Sequence, residues 1–324
     1  MWPRLLALVA VFQLCSCAQT GFDHPTSVQL QRELIEKSKK RLALARFSES
    51  ERSLDLRFFD DHREFLKLNC CWPAQAQSVS RNRVTLVDLT SSSAFNPLKY
   101  GDPLALAADY AAFGGPVTLL DPEGNLIMRS IVHVKAERVS VSPDEKRFAF
   151  IGHPRGHTPL DFGVYVADFQ EPAARKVLSV AISNDPNITS GWSIDWSPDN
   201  RTLLLSNNGA ILLVDSQTTQ LRKIADGSSG RWSPAGDWIT YTTRDLKRVL
   251  LNASTGESRI IDPSHGGVGP LEWSPDGEYL LIPESKGSHV PFGCLWVYRI
   301  SDRAYVPIPN YGMAGARPFW IQLK

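Results

Sequence analysis

Three charged residues occupy one repeated position: Asp195, Arg231 and Glu272 each directly precede the tryptophan of a Trp-Ser-Pro turn. Ser140 and Phe319 hold the corresponding place before Val141 and Trp320. Two residues earlier, on the same face if these stretches are strands, come Arg138, Ser193, Ser229, Pro270 and Arg317. Carboxylates and guanidiniums converging in one concavity suit the binding of an anionic or glycan group, or acid–base work upon it. They suit charge pairing between neighbouring strands equally well, with Arg231 bridging Asp195 and Glu272. The pairing reading is preferred, because enclosed charges need partners whether or not a ligand is present. It leaves Arg138 and Arg317 as the cations able to meet a ligand.

The elements that must position these residues are visible as a repeat. Val141-Ser142-Pro143-Asp144, Trp196-Ser197-Pro198-Asp199, Trp232-Ser233-Pro234-Ala235 and Trp273-Ser274-Pro275-Asp276 place their prolines 55, 36 and 41 residues apart. In such a turn Pro presets φ, Asp accepts a local backbone hydrogen bond, and Gly takes the left-handed conformation that closes the hairpin. Gly236 and Gly277 fill that last role and Asn200 substitutes for Gly; Glu145 and Ala235 depart from the pattern, which predicts looser copies there. After each turn follow second strands (Arg147 to Gly152, Thr202 to Ser206, Trp238 to Thr242, Tyr279 to Ile282). Third strands lie at Val164 to Phe169, Ala210 to Asp215, Arg248 to Asn252 and Cys294 to Ile300, and fourth strands after them. Four short strands recurring at about 40–50 residues are the signature of a β-propeller blade. No 3.6-residue apolar stripe recurs past residue 50, which argues against a helical bundle.

Upstream, Pro116 to Asp121 and Leu126 to Ile131 read as strands about a tight turn, with Tyr110 to Phe113 before them. Arg83 to Asp88 resembles the third strand Ala210 to Asp215, and Glu64 to Asn69 suits the second strand of the same unit. The innermost strand of that unit is supplied by Ala316 to Ile321 at the other end of the chain, which closes the ring and removes exposed sheet edges. The expected architecture is therefore all-β: a six-bladed propeller of four-stranded blades, closed by the C-terminal strand. The expected organisation is a signal peptide over 1–18, a helical extension over 19–53 and the propeller over 54–324.

The Trp-Ser-Pro-Asp-Gly repeats resemble the WD-like repeats of TolB-type propellers and of the propellers attached to prolyl-oligopeptidase-type enzymes. The resemblance covers about residues 100 to 324 and implies the fold; the motif residues build turns and blade packing rather than a site. TolB-type proteins carry an α/β domain ahead of the propeller. About 35 to 60 residues precede the propeller here, too few for that domain, so the resemblance carries no partner with it.

The segment before the propeller is informative in other ways. Arg4 ahead of the apolar run Leu5 to Phe12, with small residues at Ser16 and Ala18, reads as an export signal. Leu14-Cys15-Ser16-Cys17 resembles a bacterial lipobox with Cys17 as the lipidated residue, giving a periplasmic or membrane-anchored protein. Thr26 and Gln29 read as a capping box opening a helix with Leu30, Leu34, Ile35, Leu42 and Phe47 on its apolar side. Its basic run of Lys37, Lys39, Lys40, Arg41 and Arg46 suits packing against the propeller edge, or a surface held near anionic headgroups. Cys70 and Cys71 are adjacent; Cys294 reads as a small buried hydrophobe or as a disulfide partner for one of them.

Motifs of dedicated chemistry are absent from the sequence. There is no Gly-x-Ser-x-Gly elbow, no His-Glu-x-x-His, no glycine-rich phosphate loop and no EF-hand loop, so no catalytic residue, metal or cofactor is expected. His153 and His157 fall in a segment with Pro154 and Gly156 that reads as a polar loop. With 35 basic and 34 acidic residues the net charge is +1, which gives nucleic acid no bulk attraction. Two functions remain. One is a monomeric, non-enzymatic envelope module presenting a rigid face to a protein partner. The other is a propeller lyase or hydrolase using the channel-mouth residues on an anionic or glycan substrate. The inner strands offer no His–carboxylate pair or nucleophile, which favours the module.

Overall fold

The computed structural model describes residues 25–48, 53–60, 62–67, 74–80, 83–88, 114–121, 123, 125–157, 161–180, 192–207, 209–261, 271–283, 295–308 and 319–324. The chain opens with α1 (Pro25–Lys39), then β1 (Leu42–Ser48), β2 (Ser53–Arg57) and β3 (Arg63–Lys67). Next come β4 (Ala74–Ser80), β5 (Arg83–Asp88), β6 (Gly115–Leu120), β7 (Leu126–Val141), β8 (Arg147–Pro154), β9 (Gly163–Asp168) and β10 (Ala174–Ser179). These seven form one sheet. Three four-stranded sheets follow: β11 (Ser193–Trp196), β12 (Thr202–Ser206), β13 (Ile211–Asp215) and β14 (Leu221–Ala225); β15 (Ser228–Trp232), β16 (Trp238–Thr242), β17 (Arg248–Asn252) and β18 (Ser258–Ile261); β19 (Glu272–Trp273), β20 (Tyr279–Pro283), β21 (Leu295–Arg299) and β22 (Tyr305–Ile308). Finally β23 (Phe319–Gln322) returns to pair antiparallel with β1, giving a sheet ordered β23-β1-β2-β3.

Among the described residues the strands form five sheets, four of them four-stranded and one seven-stranded, so the expectation of six blades is corrected to five. The reason is β7. It runs 16 residues with neither Gly nor Pro, pairing with β6 through its first half and with β8 through its second. What reads as the outer strand of one unit and the inner strand of the next is thus one strand. Two further expectations change. The closing strand lies beside Leu42 to Ala45 rather than beside Glu64 to Asn69, and Arg83 to Asp88 belongs with β4 and β6, not with Arg63 to Lys67. Tyr110 to Phe113 lies outside the described residues.

The turns follow their chemistry closely. Ser142, Ser197, Ser233 and Ser274 each accept a backbone N–H five residues on, from Arg147, Thr202, Trp238 and Tyr279. Each hydroxyl also donates to a turn carboxylate: Asp144, Asp199, Asp237 and Asp276. The two departing turns are not looser. Asp237 reaches back to Ser233 at 2.7 Å in place of the missing acid at Ala235. Glu145 takes φ +60° where Gly277 has +74°, a strained choice for a residue with a Cβ, yet the Ser142 bonds are kept.

α1 is a seam element. Leu30 and Leu34 are fully buried among Leu42, Tyr279, Leu281, Val297 and Trp320, so the helix packs over the junction of the first and last sheets. It begins at Pro25, placing Thr26 inside it, and ends before Leu42, which with Phe47 belongs to β1. Glu33 accepts hydrogen bonds from the Tyr279 hydroxyl and from Arg299, which also grips Asp302 with two bonds of 2.9 and 2.6 Å. Burial, reinforced by the Glu33 carboxylate, drives the Tyr279 phenol pKa far up. The basic run spends its charge locally: Lys37 on Asp276 and Glu278, Lys39 on Glu36, Arg41 on Glu64.

This seam has a pH signature. Burial works against the charge of Asp276, but Lys37 and Ser274 hold its carboxyl below the usual range. Burial likewise opposes the Lys37 ammonium, while Asp276 and Glu278 lift it above the ordinary lysine value. The carboxylate's contribution is complete above about pH 4 and is lost as pH falls through its depressed folded pKa; the ammonium's is lost as pH rises through its raised one. Lys37→Met should therefore lower the urea midpoint at pH 7, and the deficit should shrink as the pH drops toward 3. An equal deficit at both pH values would show that the Lys37–Asp276 ion pair is not what the substitution removes.

Candidate functional site

Successive inner strands pack side by side: β11 lies against β7 and β15, and β19 against β23. Asp195 in β11 is 5% exposed and spends its carboxylate on backbone and hydroxyl. Oδ1 accepts the Trp196 N–H at 3.0 Å and the Ser140 hydroxyl at 3.5 Å, while Oδ2 accepts the Trp232 N–H at 2.8 Å. One side chain thereby links three consecutive inner strands. A charged acceptor with backbone donors on both oxygens is strongly held.

The expected bridge through Arg231 is corrected by this geometry. Arg231 is not a partner of Asp195. Its guanidinium lies 3.9 Å from Glu272 and donates to the carbonyls of Gly230 and Ile194 at 3.4 and 3.5 Å. These are long contacts between side chains 22% and 20% exposed, so the pair is weak. The irregular register of β15 between Ser228 and Arg231 re-aims Arg231, and the Trp232 amide takes the acid instead.

Arg138 does face partly enclosed surroundings, at an irregularity in the β7–β8 register. Its Nη1 donates to the Glu137 carbonyl at 2.7 Å. Burial depresses its pKa, with the Glu137 charge opposing and the Arg231 charge adding. The neighbouring Lys135 is pushed down to about 8 by burial, which Glu137 partly offsets, and burial raises Glu137. So Arg138 and Arg231 share one electrostatic environment. Arg317, Cys17, Cys70, Cys71 and Cys294 lie outside the described residues.

Sequence reasoning missed two kinds of partner. The tryptophan after the charged position donates its indole N–H to the preceding inner strand, Trp196 to Ser140 O at 3.0 Å and Trp320 to Glu272 O at 3.2 Å. The equivalent indole nitrogens of Trp232 and Trp273 are buried with no hydrogen-bond partner among the described residues. Nor is Gly152-His153-Pro154 a loop: it is part of β8, with His153 1% exposed and its Nδ1 3.0 Å from Pro154 O. His157 instead stands 3.7 Å from Asp161. No cluster of three or more His, Cys, Asp or Glu able to hold a metal occurs among the described residues.

No family model matches the sequence, and no curated protein matches it. Among solved structures, the chain is similar to TolB from Acinetobacter baumannii, with 16% identity and a TM-score of 0.58. That likeness covers 86% of this chain and 66% of the other. Its fold is that of a TolB-type β-propeller. The propeller also aligns with an oligogalacturonate lyase in complex with manganese, at 12% identity and a TM-score of 0.46 over 82% of this chain and 78% of that one. A likeness that weak adds nothing to the fold. Because the propeller spans about two thirds of the Acinetobacter protein's length, activity and partners do not follow from it.

Proposed function

We propose that the protein is a monomeric, non-enzymatic propeller of the cell envelope that presents a rigid face to a protein partner. The observation that carries this is the employment of Asp195. The most enclosed acid of the inner strands holds three strands in register, so it is not available as an acid, base or ligand. Of the other two inner-strand acids, Glu272 lies 3.9 Å from Arg231 on the neighbouring inner strand, and Glu137 lies in the field of Arg138 and Lys135. The test is affinity capture of the mature protein from its own envelope fraction, read by mass spectrometry, beside a screen for cleavage of anionic glycans. One protein recovered in stoichiometric amount, with no turnover, is the expected result. Turnover abolished by Glu272→Gln would overturn the reading.

Export and anchoring by Cys17 belong to the same proposal. Cys17→Ala is expected to move the protein from the membrane pellet to the soluble fraction, since acyl chains would supply most of the attachment. A variant that stays with the membrane would assign the attachment to α1 or to a partner.

A further inference from the structure

A concavity lies at the corner where the first half of β7 and the end of β8 meet the approach to β10. It measures about 540 Å³, and Ile131, His133, Arg155, His157, Pro172 and Ala174 are among its walls. Two of the chain's seven histidines, His133 and His157, line it beside Arg155, and the buried His153 feels the charge of Lys135 and His157. We infer that this pocket is an oxyanion site, taking the carboxylate or phosphate group of a small ligand.

Arg155 lacks an acidic partner among the described residues. A guanidinium carries five N–H donors in a planar fork suited to a carboxylate or phosphate. Here one of them, on Nη1, meets His133 Nδ1 at 3.3 Å, and among the described residues no carboxylate pairs with Arg155. The backbone fixes its place: Arg155 N donates to His133 O at 2.9 Å, and His157 N to Pro154 O at 3.2 Å. Gly156 between them takes φ +88° with open space beyond it. No acid is among the lining residues; Asp161 stands 3.7 Å from His157 Nδ1, and Pro172 and Ala174 close the wall without charge. The volume exceeds that of a bare ion and leaves room for the group that carries it.

The same geometry couples binding to protons. His133 accepts from Arg155 through Nδ1, so its neutral form carries the proton on Nε2. A second proton on Nδ1 would break that bond and leave two cations side by side, which an anion accepting from both would compensate. The charged groups bearing on this exchange are Arg155 with His157 and Asp161 after β8, His153 in β8, and Lys135 in β7. An oxyanion in the pocket should therefore favour the protonated His133 ring, and binding should tighten as the pH falls.

The experiment is a pH titration of the histidine ring signals by NMR on the full chain. It is run in sodium phosphate, in sodium acetate, and in sodium chloride at matched ionic strength. The His133 ring signals are expected to respond to pH differently in phosphate or acetate than in chloride. Acetate distinguishes a carboxylate site from a phosphate site, and a response to either supports the assignment. Arg155→Gln, at an exposed position, should erase the difference while leaving the melting temperature unchanged. Identical titrations in all three salts, or an anion effect that survives in Arg155→Gln, would overturn it.

Discussion

Removing residues 319–324 should leave the protein insoluble. β23 contributes Phe319, Trp320 and Ile321 to the core at 7%, 3% and 0% exposure, and all four of its residues pair with β1. The seam is also tied by Leu323 N to Arg41 O at 3.1 Å and by the Trp320 indole to Glu272 O. Without β23, β1 becomes an open edge beside an uncovered apolar face, and such edges recruit other chains. The truncated protein is expected in inclusion bodies, and any refolded fraction should elute as aggregates on gel filtration. A soluble monomer with unchanged melting would refute closure by this strand.

Asp195→Ala should cost about 3 kcal/mol, the larger part of it from orphaning the Trp196 and Trp232 amides that converge on the carboxylate. Arg231→Ala should cost under about 1 kcal/mol, because its ion pair is long and partly exposed. Urea unfolding of both variants decides the order. Equal costs, or a costlier Arg231→Ala, would mean that the inner strands are held by ion pairing after all.

Much of the fold was legible because turn chemistry is local. The second and third strands after each Ser-Pro turn fall within two residues of their expected bounds, since Pro, Asp and Gly act on neighbours only a few positions away. Strands whose partners are distant were less readable. β1 carries no repeat motif and its inner neighbour lies about 275 residues on, so Leu42 and Phe47 read as helix. β7 could have been read as one strand, because Leu126 to Val141 holds no residue that breaks a strand. Residue types at the inner position also identified the charged belt. They did not show which atoms meet, since that depends on strand register and on the irregularity in β15. Asp237 is a small instance of the same limit: a carboxylate two places late in sequence still reaches Ser233 in space.

The account's central claim is that Asp195 binds strands together rather than a substrate. Amide hydrogen exchange at Trp232 tests it most directly, because that N–H donates to Asp195 Oδ2 at 2.8 Å across two sheets. The Trp232 amide should exchange at the rate of the core strands in the wild type and accelerate sharply in Asp195→Ala, while amides in α1 remain unaffected. Rapid exchange at Trp232 in the wild type, or no change on removing the carboxylate, would contradict the claim.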